Sequence, residues 1–136
     1  MRFMILVKSN ADSEAGVMPD QAMLSAMVDY HEELAKAGLL VDANGLKPSS
    51  VGWRLDWRNG EKTIVDGPFA ETKELIAGYT ILKVKSKQEA VDWINRFPNP
   101  GLVEGHIEVR QMFELEDFEP GEAIDRFREM TAGSGG

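Results

Sequence analysis

Trp53-Arg54-Leu55-Asp56-Trp57-Arg58-Asn59-Gly60-Glu61-Lys62-Thr63-Ile64-Val65 is the stretch around which the rest of the chain falls into order. Trp53, Leu55 and Trp57 alternate with Arg54, Asp56 and Arg58, the period of two that marks a strand. Asn59-Gly60 then supplies two residues that tolerate positive φ, as a two-residue hairpin turn requires, and Thr63-Ile64-Val65 returns. Asp66-Gly67-Pro68-Phe69 breaks the return strand, because proline lacks the ladder donor and glycine permits a sharp bend.

A strand-helix-strand unit is expected on each side of this hairpin. Upstream, the apolar run Phe3 to Val7 between Arg2 and Lys8 reads as a strand buried on both faces. Residues 9 to 18 are polar and turn-rich. Pro19-Asp20 predicts a helix start, and Met23, Met27, Tyr30 and Leu34 form one helical stripe over about residues 20 to 37, which Gly38 ends. Leu39 to Ala43 can form a short strand, with Asn44-Gly45 and Lys47-Pro48-Ser49-Ser50 as an irregular connection.

Downstream, Ala70 to Leu75 reads as a helical turn. Tyr79 to Val84 reads as a strand apolar on both faces, with Tyr79 and Ile81 on one and Leu82 and Val84 on the other. Ser86 and Glu89 have capping-box spacing and open a second helix with Ala90, Val91, Ile94 and Phe97 inward. Pro98-Asn99-Pro100-Gly101 ends it, and Ile107 to Leu115 alternates as a last strand with Glu108, Arg110, Met112 and Glu114 on its other face. The order predicts an α+β fold, a ferredoxin-like split βαβ with an inserted β-hairpin, and both helices on one face of an antiparallel sheet. This domain is placed at residues 1–118. The tail, 119–136, carries a short amphipathic piece (Ala123, Ile124, Phe127, Met130) and ends in Gly133-Ser134-Gly135-Gly136, expected to be disordered.

Composition narrows the function classes. The chain has 136 residues, enough for one core, and its 15 Lys plus Arg against 23 Asp plus Glu give a net charge of −8. That balance argues against nucleic acid and anionic membranes as partners. With no cysteine, disulfides and thiolate chemistry are excluded, and two histidines make a poor imidazole metal site. No cofactor and no metal is expected. The apolar run at the start is too short for a signal peptide and no stretch reaches membrane-span length, so a cytoplasmic location is expected. Two helices cover one face of a four-stranded sheet, yet the first strand and the Tyr79 strand are apolar on both. A second copy packed sheet to sheet is the expected cover, making the protein a homodimer; the alternative is that the hairpin or the C-terminal segment folds over that face.

Asp66-Gly67-Pro68-Phe69-Ala70-Glu71-Thr72-Lys73-Glu74, followed by Ile76-Ala77-Gly78-Tyr79, resembles the signature of the YCII-related family in its DGPF-domain branch. Met1 to Met4, Glu33-Leu34, Ala37-Gly38, Gly45-Leu46 with Pro48, and Ile107 to Arg110 look like the same branch, so the resemblance covers roughly residues 1 to 118. It implies a dimeric α+β barrel. Functionally it implies a family that is largely uncharacterised, with some members adjacent or fused to sigma factors and a few small-molecule enzymes. Those enzymes are thought to use a His and Asp dyad. Counted back from Gly38, the position of that histidine is held by about Met27, and His31 lies one helical turn later, so the role does not transfer.

The candidate site residues are Asp66, Phe69, Tyr79, Arg110 and His31. Asp66 either fixes the turn through backbone amides or presents a carboxylate as catalytic base or ligand contact. Phe69 is either an interface anchor or a stacking surface. Arg110 can anchor an acidic small molecule if its face looks into a dimer, and Asp66, Tyr79 and Arg110 are expected around one pocket. His31 reads as a half-exposed helix histidine or a ligand contact, while Trp53 and Trp57 either line a groove or pack across strands. The first functional reading is a homodimeric small-molecule-binding protein, with lyase or isomerase activity on a small acidic metabolite as its enzymatic form. The rival is a non-catalytic regulatory or interaction module linked to sigma-factor signalling. A cofactor-free oxygenase of the same barrel type has no supporting residue.

Overall fold

Four strands build one antiparallel sheet: β1 (Arg2–Lys8), β2 (Leu40–Gly45), β5 (Ile76–Lys83) and β6 (Ile107–Gln111), in the order β2-β5-β1-β6. The computed structural model describes residues 1–134. Between β2 and β5 the chain leaves the sheet to form β3 (Trp53–Arg58) and β4 (Glu61–Asp66), a separate two-stranded sheet. The helices are α1 (Ala11–Glu14), α2 (Gln21–Lys36), α3 (Lys87–Ile94) and α4 (Glu122–Ser134). This is the split βαβ arrangement with its hairpin insert, and the sheet is open, not closed into a barrel within the chain.

Local signals explain most boundaries. Asp20 caps α2 by accepting from the Met23 amide at 2.8 Å, and Ser86 caps α3 by accepting from Glu89 at 3.1 Å. Gly38 ends the α2 segment at φ +75°. Asn59 and Gly60 both have positive φ, 50° and 78°, as the β3-β4 turn demands.

The sheet is sealed on one side. Burial alternates along β1 and β5, so that Phe3, Ile5, Gly78, Thr80 and Leu82 are buried while Met4, Leu6, Tyr79 and Ile81 between them are not. Phe3, Ile5, Leu82, Val84 and Ala90 form the core, with Leu39, Ile94, Phe97 and Val109 packed against them. Tyr30 and Leu34 on α2 are also buried. Tyr30 ties α2 to α3: its ring meets Trp93 and Phe97 edge-on at 6.1 and 5.4 Å, and its hydroxyl donates to the Trp93 carbonyl at 2.8 Å.

Several expectations are corrected. The last strand stops at Gln111, not Leu115, because β1 begins at Arg2 and the Met112 amide bonds to the Arg2 carbonyl as the last rung; Glu114 then opens a 3-10 turn over Leu115–Asp117. The stretch after β1 contains α1, closed by a reciprocal Asn10 and Ser13 cap, where a polar turn was expected. Val91 is 38% exposed and does not join Ala90 in the core. Helix α4 runs through Gly133 and Ser134, since an established helix adds one bond per residue; the Gly135-Gly136 end of the expected disorder lies outside the described residues.

Candidate ligand-binding site

The unsealed sheet face is built by register. Asn44, Tyr79, Leu6 and Glu108 form one cross-strand row, and Asp42, Ile81, Met4 and Arg110 the next. Apolar side chains thus occupy the two central strands and polar ones the edges. At the β2 edge the Tyr79 hydroxyl donates to Asp42 Oδ2 at 2.8 Å and accepts from Asn44 Nδ2 at 3.0 Å; Asn44 also donates to Asp42 Oδ1 at 3.2 Å. These bonds orient the phenol and leave a lone pair on its oxygen for an incoming donor. Neither Asp42 nor Asn44 is marked by sequence, since only the β2-β5 register brings them to Tyr79.

At the β6 edge, Glu108 is shared between Arg110 at 3.3 Å and Lys8 at 3.7 Å. The Arg110 side chain remains 72% exposed, so its guanidinium is accessible. Arg2 lies on the same face but is engaged by Glu114 at 2.9 Å and by the Phe113 carbonyl at 3.2 Å. Tyr79 and Arg110 therefore share a face but do not touch. Two strand spacings, about 10 Å, separate β5 from β6, enough for a small ligand to bridge them.

The remaining candidates lie elsewhere. His31 is on the sealed side, opposite Tyr79. Its Nδ1 lies 2.7 Å from the Met27 carbonyl, which only accepts, so that nitrogen carries the proton and Nε2, 2.8 Å away, accepts from the Thr80 hydroxyl in the neutral ring. Both nitrogens are used internally, and Thr80 is 2% exposed, so His31 belongs to the packing between α2 and β5.

Asp66 is exposed at the end of β4, opposite Trp53, and its carboxylate makes no hydrogen bond or ion pair among the described residues. It does not cap the turn. The bend is held instead by Gly67, whose amide donates to the Gly52 carbonyl at 2.9 Å and whose missing Cβ would lie 1.8 Å from the Ser49 carbonyl oxygen. Ser49 is the hub: its amide donates to Glu14 Oε1 at 3.0 Å, its hydroxyl donates to Glu14 Oε2, and its Oγ accepts from the Phe69 amide at 3.0 Å. Phe69 is half-buried beneath the Arg54 guanidinium, 3.7 Å from the ring centroid. Nothing in the sequence marks Glu14 as a partner of this loop.

Among the described residues, no three His, Asp or Glu side chains converge as a metal site would require, and no helix is long and apolar enough to cross a membrane. Tyr30 has its pKa pushed up to about 12 because burial disfavours the phenolate, which the Arg96 charge only partly offsets.

These features define a small α+β protein with one sealed sheet face and a second face that is apolar in the middle and polar at its edges. The YCII-related domain matches residues 1–116, and the chain belongs to the YCII-related family. An uncharacterised protein of Rhizobium meliloti (strain 1021) is 31% identical over 103 residues, spanning 76% of this chain and 81% of that protein.

Proposed function

We propose that this protein is a homodimeric small-molecule-binding protein in which two copies appose their unsealed sheet faces around a small acidic ligand. The observation that carries the reading is the alternation of burial through the middle of β1 and β5, which leaves Met4, Leu6, Tyr79 and Ile81 without a second layer. Two such faces packed together bury an apolar centre and enclose the Asp42-Tyr79-Asn44 group and Arg110 at its margins. In this arrangement Arg110 pairs with a carboxylate of the ligand and the Tyr79 hydroxyl accepts a hydrogen bond from a donor on the ligand. The enzymatic form of the reading is an isomerase or lyase, with Tyr79 passing a proton between ligand and the Asp42 carboxylate.

Light scattering after size exclusion tests the assembly, with a dimer mass expected at micromolar concentration. A thermal-shift screen of small carboxylates tests the ligand. Binding at about 100 times Kd stabilises by about 2.7 kcal/mol. That stabilisation is expected to shrink in Arg110→Ala and Tyr79→Phe. A monomer, or a wild-type protein that no carboxylate stabilises, refutes the proposal.

A non-catalytic interaction module is the second reading, favoured by α4, on which Phe127 and Met130 are 52% and 60% exposed. That reading predicts an unresponsive thermal screen and a partner lost on removing α4.

A further inference from the structure

The β3-β4 hairpin is an arm with its faces the wrong way round for covering its own core. Every residue of both strands is exposed, and an isolated two-stranded sheet is marginal in water. Register places Leu55 opposite Ile64 and sets Trp53 and Trp57 on that same face. These four side chains are 69% (Trp53), 42% (Leu55), 67% (Trp57) and 66% (Ile64) exposed. The opposite face carries Arg54, Asp56, Arg58, Glu61 and Thr63, with Val65 as its one apolar side chain, and Arg54 stacks on Phe69 at the root of the arm. The polar face thus turns toward the body and the apolar face away from it.

The arm is also held at its root. Gly67 bonds to Gly52, Phe69 bonds to Ser49, and Ser49 is fixed by Glu14. A surface held in advance loses less freedom on docking.

We infer that this arm is a dimerisation arm: its Trp53-Leu55-Trp57-Ile64 face packs on a second copy of the chain, which places its own arm on the first. The inference rests on the homodimer proposed above and extends its interface beyond the sheet. Charge selects the occupant. Arg54, Arg58 and Lys62 balance Asp56, Glu61 and Asp66 within the arm, whereas the whole chain carries −8. Two such chains repel least where each is locally neutral, while a cationic partner is drawn to the acidic remainder and an anionic surface is repelled. Area agrees: two tryptophans, a leucine and an isoleucine bury on the order of 500 Å² per arm, so a reciprocal pair reaches about 1,000 Å², where specific interfaces begin.

The test uses the full chain in a Trp93→Phe background, so that Trp53 and Trp57 alone fluoresce. Size-exclusion light scattering and acrylamide quenching are followed from nanomolar to high micromolar concentration, with and without neutral and anionic lipid vesicles. Docking on a second copy predicts shielded tryptophans in the dimer that become quenchable on dilution, in step with the loss of dimer mass. Trp57→Lys with Ile64→Lys is expected to weaken the dimer by at least about thirtyfold, the scale of one interface hot spot. Leu6→Lys perturbs the sheet face alone. If the dimer persists with both tryptophans fully quenchable and the arm variants leave it unchanged, the arm proposal falls and the sheet dimer stands. Dissociation by the arm variants but not by Leu6→Lys supports the arm and removes the sheet reading. A wild-type monomer at every concentration, or tryptophans shielded only by vesicles, overturns the proposal.

Discussion

Gly67 shows how a motif residue can be explained by a single distance. A Cβ placed there lies 1.8 Å from the Ser49 carbonyl oxygen, a backbone atom that cannot step aside without moving the whole loop. Gly67→Ala is therefore expected to cost more than about 2 kcal/mol in a denaturant titration, in the range reserved for backbone clashes. Gly45→Ala is the control, because its added methyl meets open space and its φ is ordinary. Asp66 stands in contrast. Its carboxylate makes no hydrogen bond or ion pair among the described residues, so Asp66→Asn is expected to change stability by well under about 1 kcal/mol. Should the same substitution abolish a ligand's thermal stabilisation, Asp66 contacts that ligand; equal responses retire it from the site. The sequence pointed at the bend through Gly67 and Pro68, and one of its two readings of Asp66 gave that side chain the support of the bend, which the structure gives to other groups. Glu14 and Ser49 hold it, and that pairing spans 35 residues, beyond the reach of local patterning.

Elements that bury one stripe were legible because burial leaves a period behind. Tyr30 and Leu34 complete the stripe expected of α2, and Leu82 and Val84 separate from Tyr79 and Ile81 as alternation predicts. Long-range polar groups left no such trace: Asp42 and Asn44 meet Tyr79 only through the β2-β5 register, and His31 meets Thr80 only through the packing of α2 on the sheet. The α2-α3 contact carries a pH prediction. The Tyr30 phenol is raised from 10.0 to about 12 by burial, so above pH 10 the unfolded chain gives up this proton before the folded one does. The unfolded state then binds fewer protons, and stability falls as pH rises from 10 toward 12. Tyr30→Phe is expected to flatten that fall while lowering stability at neutral pH by about 1 kcal/mol, because the hydrogen bond to the Trp93 carbonyl is lost. Urea melts of both proteins at pH 8 and at pH 11 give the comparison.

At the scale of the whole molecule, the sheet has one finished face and the chain offers two further apolar surfaces, the β3-β4 arm and α4. Composition and strand order announced the unfinished face, because two helices cover one side of four strands, and the tail after residue 118 was expected to lie outside the domain. Helix α4 occupies most of that tail. It follows the Leu115–Asp117 turn, and its Phe127 and Met130 remain mostly exposed, so few apolar side chains are taken from water when it forms. Truncation after Pro120 removes α4 and leaves the Arg2 and Glu114 ion pair, which fastens the end of the domain to β1. Its expected effect on the stability of the folded chain is below about 1 kcal/mol, within the range of changes made away from a core. Dimer mass should fall only by that of the two removed segments, since the sheet face and the arm are untouched. A loss above about 2 kcal/mol that grows with protein concentration places Phe127 and Met130 on the second copy instead. In that case α4 belongs to the same interface as the arm, and the unfinished face is closed by both.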